Sequence, residues 1–285
     1  MKIALRKGRV EDAERSGLLC YEAFKSIAEQ HRFPPDFPSA EAAIGLLSSL
    51  LPRPDIYSVV AEMEGHLVGS VFLWENSSIA SIGPVTVDPT LQNRQVGRQM
   101  MENVLDRART QGFAGTRLVQ AAYHNRSLSL YAKLGFVVRE PLVTLQGPAP
   151  GLEVPGFRVR QAMEQDLESC NELCRKVHGH DRNHELLDAI KEKTASVVDH
   201  DGRISGYATV IGFFGHAVGE TNEDLKALIA AATGIAGPGL LLPSRNAELF
   251  HWCLSHGLRV VQPMTLMSLD LYNEPAGAFL PSINY

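Results

Sequence analysis

Two arginines beside a glycine, just ahead of an amphipathic run, are residues able to grip a phosphate. Arg94 and Arg98 stand around Gly97 in DPTLQNRQVGRQMM, residues 88–101. N–H groups at a helix start are unpaired and lie at the positive end of its dipole, so such a turn suits a diphosphate. Gly97 allows close approach, and the guanidinium groups add charge-assisted donors. A second set of reactive side chains lies in NRSLSLYAKLGF, residues 125–136, where Tyr131 offers a phenolic proton and Asn125 a hydrogen-bonding amide. As residues alone, Tyr131 with Leu128 and Leu134 also suits the buried face of an amphipathic helix, and Asn125 suits an N-cap. Glu62, Glu75 and His124 stand near strand ends and are candidate proton acceptors, His124 having the most suitable ordinary pKa.

A strand, a turn and a helix must hold these groups. Val85, Thr86 and Val87 are β-branched, Asp88 and Pro89 end the extended run, and Met101, Val104, Leu105 and Ala108 recur at helical spacing. Thr116 to Ala122 has the composition of a buried strand leading into Asn125.

The two segments together resemble the two signatures of the GCN5-related N-acetyltransferase (GNAT) superfamily. The first runs Gln or Arg, two residues, Gly, one residue, then Gly or Ala. Gln92 and Gly97 fit it, Arg94 and Arg98 hold positions often basic, and Gln95 replaces the middle glycine. Asn125, Tyr131, Leu134, Gly135 and Phe136 fit the second signature throughout. The resemblance implies acetyl-CoA as cosubstrate, without a metal, and transfer to a primary amine by direct attack with Tyr131 as general acid. It places Val85, Thr86 and Val87 on the strand that pairs with the pantetheine arm. Gln92, Arg94, Gln95, Val96, Gly97, Arg98 and Gln99 surround the diphosphate, and Asn125 and Tyr131 complete the cofactor site. The general base is left open among Glu75, His124 and Glu62, and a water chain with no single base serves equally well. The family lines its acceptor pocket with the region between the first two helices, here HRFPPDFPS, where Phe33 and Phe37 form an apolar wall and Asp36 attracts an amine. The competing readings are a non-catalytic ligand-binding or interaction module, in which Gln95 marks a weakened site, and an acyltransferase for a longer acyl-CoA.

The 285 residues, 45% of them hydrophobic, can bury two domains, and a net charge of −5 argues against nucleic acid as a partner. The absence of a long apolar run or an apolar leader predicts no membrane span and a cytoplasmic location. The expected partner is a small-molecule or peptide amine acceptor, with a homodimer an allowed assembly. Cys20, Cys170, Cys174 and Cys253 lack disulfide or zinc spacing, and the histidines of HGHDRNHE compel no metal geometry.

Internal matches organise the chain. Arg6 to Glu14 aligns with Arg160 to Glu168, EGHLVGSV from Glu64 with DGRISGYA from Asp201, and Gly135 to Thr144 with Gly257 to Leu266. Three collinear matches predict an α/β (α+β) protein of two tandem GNAT-like domains, each a mixed, mostly antiparallel twisted sheet flanked by helices. The expected division is a catalytic copy over 1–146, a Pro/Gly-rich linker over 147–156 and a degenerate copy over 157–285. The second copy shortens where the first holds its phosphate loop. There Gly219 to Asp224 carries Glu220, Glu223 and Asp224 and no cation, and Cys253 takes the place of Tyr131. A structural, substrate-shaping or dimer-forming role is expected of it.

Overall fold

The computed structural model describes residues 2–285, which divide into two compact units. The first unit holds residues up to Leu118, then Tyr123–Val137 and Ser268–Leu271. It begins with β1 (Ile3–Lys7), α1 (Ala13–Gln30) and α2 (Ala40–Leu50), then β2 (Ile56–Met63), β3 (His66–Trp74) and β4 (Ile79–Val87). Next come α3 (Val96–Gln111), β5 (Gly115–Ala121) and α4 (Asn125–Lys133). The strands lie in the order β1-β2-β3-β4-β5, antiparallel except for β4 against β5. Ser39 caps α2 by accepting from the Ala42 N–H at 3.3 Å. A Cβ on Gly17 would stand 2.5 Å from the Ile44 Cα, so glycine is what lets α1 close on α2.

The second unit holds Val119–Ala122, Val138–Met267 and Tyr272–Tyr285. Its elements are β6 (Val137–Gln146), β7 (Arg158–Gln161), α5 (Leu167–His178), α6 (Asn183–Lys191), β8 (Ser196–His200), β9 (Arg203–Ala208) and β10 (Ala217–Gly219). Then follow α7 (Asn222–Ala231), β11 (Leu240–Pro243), α8 (Ala247–Ser255), β12 (Arg259–Asp270) and β13 (Ala278–Leu280). One sheet runs β13-β10-β9-β8-β7, and β11 pairs antiparallel with β6. Cys170 and Cys174 are buried free thiols on α5.

The matched segments fold alike down to single ion pairs. Arg6 makes a bidentate pair with Asp12 (2.7 and 2.7 Å) and reaches Glu62 at 2.8 Å; Arg160 does the same with Asp166 (2.7 and 2.9 Å) and Asp199 (2.8 Å). Both hairpins turn through two consecutive positive-φ residues, Glu64–Gly65 and Asp201–Gly202. A bulge follows at the same register, at Ala61/Glu62 and at Val198/Asp199.

The two compact units interleave along the chain. β6 ends the first repeat in sequence, yet it pairs with β11 from Leu145 opposite Leu240 to Leu142 opposite Pro243, so its hydrogen bonds are satisfied inside the second unit. Residues 268–271, late in the second repeat, belong to the first unit.

Candidate active site

The strand expected to carry Val85, Thr86 and Val87 is β4, which β3 borders through Gly69 opposite Val87 and Val71 opposite Val85. Its register with β5 covers only Ile79–Ser81 against Gly115–Arg117. Beyond Ser81 the two parallel strands part, which leaves the second edge of Val85–Val87 without a strand partner among the described residues. An extended ligand can hydrogen-bond to such an edge.

Asp88 ends β4 and stops the chain in a short 3-10 turn, accepting from the Thr90 N–H at 2.8 Å. Asn93 and Gln95 then both take left-handed dihedrals, with φ of 65° and 63°. Gln95 sits at the N-cap of α3 and its side chain makes no capping bond. A left-handed residue joined to a helix start turns successive N–H groups toward one point, the geometry that receives an anion. The middle signature position therefore calls for positive φ, and Gln95 holds it at about 1–2 kcal/mol of backbone strain that glycine would not carry. A Cβ on Gly97 would meet the Val87 Cγ2 at 3.4 Å and the Leu130 Cδ2 at 3.5 Å, so the space over this residue is bounded by the strand end and α4.

The two expected cations are placed differently from one another. Arg98 is exposed and paired with Glu102 at 2.8 Å along α3, while Arg94 lies between the two left-handed residues. Gln92 accepts a hydrogen bond from Arg126 of α4, a cation at the loop that the motif reading passed over although it adjoins Asn125.

The cap of α4 is His124, not Asn125, which begins the helix proper. The His124 Nδ1 accepts from the Ser127 N–H at 3.2 Å, so the neutral ring carries its proton on Nε2. Burial lowers the His124 pKa, and protonating Nδ1 would break the cap; this histidine is built to stay neutral rather than take a proton. Glu75 is held by Arg107 through both carboxylate oxygens at 2.7 and 2.9 Å, and Glu62 by Arg6. Tyr131 is buried and packs edge-on to Phe136 with centroids 6.1 Å apart; desolvation raises its pKa far above the ordinary tyrosine value.

On the acceptor side, Phe37 packs edge-on to Phe24 at 5.8 Å and joins the core formed with Cys20 and Phe72. Phe33 lies elsewhere in the same loop, stacked on Tyr123 at 4.3 Å and 10°. Burial raises the pKa of both Tyr123 and Cys20, and the charge of Asp36 adds to each shift.

The second copy shows what these features look like when closed. The register of β9 with β10 sets Gly206 opposite Gly219, as β3 sets Gly69 opposite Val87, so Ala217–Gly219 correspond to Val85–Val87. Their second edge is taken by β13, with Ala217 opposite Leu280 and Gly219 opposite Ala278. The N-terminus of α7 is capped from within: Asp224 accepts from the Thr221 N–H and hydroxyl, both at 2.9 Å, and from the Ser205 hydroxyl. Cys253 is fully buried and its thiol is pushed up to about 12 by desolvation. Among the described residues no three or more His, Cys, Asp or Glu side chains group as a metal site, and no helix is long and apolar enough to cross a membrane.

A model of the Acetyltransferase (GNAT) family matches residues 21–136. Over 126 residues the chain is 31% identical to the IAA acetyltransferase of Azospirillum brasilense, a match covering 44% of this chain and 82% of that protein. A solved structure of a candidate acetyltransferase from Pyrococcus horikoshii is similar with a TM-score of 0.73 at 18% identity, over 97% of this chain and 94% of that one. A tandem GNAT protein from the clavulanic acid biosynthesis pathway is similar with a TM-score of 0.58 at 13% identity, over 99% of this chain and 100% of that one. These whole-length likenesses are of fold: two GNAT-like domains in tandem, each of sheet flanked by helices.

Proposed function

From the premise that the chain belongs to the GNAT family of acetyltransferases, we propose that its first copy is an N-acetyltransferase, moving an acetyl group from acetyl-CoA to a primary amine. The observation that carries this is the pairing of a β4 edge at Val85–Val87 that β5 does not border with an α3 N-terminus that its N-cap side chain, Gln95, leaves uncapped. The edge suits the amides of a pantetheine arm, and the N–H groups around Gln95, Val96 and Gly97 suit a diphosphate, with Arg94, Arg98 and Arg126 as the nearby cations.

When bound, acetyl-CoA supplies an activated acetyl thioester. The residues then have to hold the amine in line, present an N–H of β4 to the developing oxyanion, and keep water out. Tyr131 is assigned the proton donated to the departing sulfur. Its desolvation keeps the phenol protonated over the working pH range, and a thiolate formed in the same dry surroundings is made more basic by the same cause. Asn125 at the first turn of α4 is assigned the cofactor arm or an ordered water. The proton of the incoming amine is assigned to solvent, because His124 caps a helix and Glu62 and Glu75 are held by arginines.

Calorimetry of the full chain with acetyl-CoA tests the assignment, and no binding would refute it. Tyr131→Phe preserves the packing on Phe136 and is expected to lower kcat about 100-fold with acetyl-CoA affinity unchanged. Unchanged turnover would remove the general-acid role alone.

A further inference from the structure

The backbone groups of β4 can be sorted by the edge they face. Asp88 donates its N–H to the Val68 carbonyl at 2.9 Å, and the register sets Gly69 opposite Val87 and Ser70 opposite Thr86. Hydrogen-bonded and non-hydrogen-bonded pairs alternate along an antiparallel ladder, so Thr86 directs its N–H and C=O to β3 while Val85 and Val87 turn theirs to the other edge. Val87 adjoins the start of α3, since a Cβ on Gly97 would stand 3.4 Å from its Cγ2, and Val85 lies farther from the diphosphate turn. Under the proposed function the thioester oxygen therefore comes to the Val85 N–H. Just before Val85 the ladder is irregular: Val71 faces Val85 but Leu73 faces Ile82, so Gly83 and Pro84 together oppose Phe72. Pro84 offers no N–H, and the Gly83 carbonyl accepts from the Trp74 indole N–H at 2.8 Å. Trp74 stands at the end of β3 and packs on the core that contains Leu50, Ile56 and Phe72. The Arg53 guanidinium lies over its ring, with Cζ 5.5 Å from the centroid. The indole is thus held in place, and with it the direction of the Gly83 carbonyl.

We infer that Trp74 is a positioning residue for acyl transfer: its indole N–H holds the Gly83 carbonyl toward β3, which leaves the Val85 N–H to meet the thioester oxygen. This rests on the acetyltransferase reading and deepens it, naming the donor and the side chain that aims it. A carbonyl oxygen turned toward a developing oxyanion would repel it, and a donor on that carbonyl keeps the repulsion away from the charge. Trp74 acts through the backbone of Gly83 and Pro84 and is assigned no contact with the thioester.

The test needs no amine. Acetyl-CoA carrying carbon-13 at its thioester carbonyl is bound to the full chain, and the carbon resonance is compared with that of the free cosubstrate. A hydrogen bond to the oxygen moves it downfield, and such a displacement is expected in the wild-type complex. Trp74→Phe keeps an aromatic ring on the core and removes the N–H; about half of the displacement should be lost while affinity by calorimetry changes by less than about twofold. Trp252→Phe, in the second copy, should alter neither. In the unaltered protein the chain's two tryptophans give two indole N–H resonances, and acetyl-CoA should shift that of Trp74 alone. No displacement in the wild-type complex, an equal displacement in Trp74→Phe, loss of affinity in Trp74→Phe, or a Trp74 indole indifferent to acetyl-CoA would each overturn the inference and leave the acetyltransferase reading standing. Failure of the unaltered chain to bind acetyl-CoA would bring down both.

Discussion

The helix starts of α3 and α7 hold matching places in the repeat and are capped in opposite ways. At α3 two left-handed residues lead into a helix start whose N-cap side chain makes no capping bond, beside the part of β4 that β5 does not border. At α7 the loop is shorter, Asp224 folds back on Thr221 and Ser205, and β13 lies along the corresponding strand. Under the proposed function, the Asp224 carboxylate occupies the counterpart of the phosphate position and β13 the counterpart of the ligand arm. The second copy satisfies its helix start and strand edge from within the chain.

The comparison breaks most visibly at Gly97. Gly97→Trp fills the space bounded by Val87 and Leu130 and is expected to weaken acetyl-CoA binding more than 100-fold, or by roughly 2.7 kcal/mol, with the circular dichroism unchanged. Glu220→Gln in the second copy should leave that affinity as it was, and loss of binding there would show that the active copy is misassigned. Asp224→Ala comes next in size. It removes a buried cap and the partner of the Ser205 hydroxyl, for about 2 kcal/mol and ~5 °C in the melting temperature, without touching acetyl-CoA affinity.

The arginine clasps test where the copies remain equal. Arg6 chiefly holds the Asp12 pKa down, and Arg160 does so for Asp166. A carboxylate depressed in the folded state contributes stability that is present in full above its unfolded pKa of about 4 and is lost as pH falls through the folded value. Asp12→Asn and Asp166→Asn should each cost about 1 kcal/mol at pH 7 and reduce the acid sensitivity below about pH 4 by similar amounts. Unequal effects in acid-unfolding curves would mean that the clasps are not equivalent. The smallest change is expected from Gln95→Gly, which relieves strain present with and without ligand. Thermal stability should rise by somewhat under 1 kcal/mol with acetyl-CoA affinity unchanged.

Much of this was readable in the residues because it depends on local chemistry. Arg6 and Asp12 recur as Arg160 and Asp166 at one spacing, and the paired turns announce themselves by glycine at positions 65 and 202. The left-handed turn at Gln95 was not readable, since a side chain with a Cβ gives no sign that it accepts positive φ. The cap of α4 moved from Asn125 to His124 because tertiary placement, rather than the better capping propensity of asparagine, sets where the chain turns. Tyr123 and Arg126 adjoin the second signature yet gain meaning only through partners far off in sequence, Phe33 and Gln92. β13 spans only Ala278–Leu280, too short to show a period, and its role follows from the strand it borders.

The placement of residues 268–271 in the first unit has a consequence for synthesis. A ribosome releases the residues of α1, α3 and β4 long before that segment exists, so the first unit is completed only by residues that follow most of the second. The linker over 147–156 is then a poor place to cut. A fragment ending there would carry β6 without its partner β11, an exposed edge ready to pair with other molecules, so the half proposed to hold the chemistry should aggregate when expressed alone.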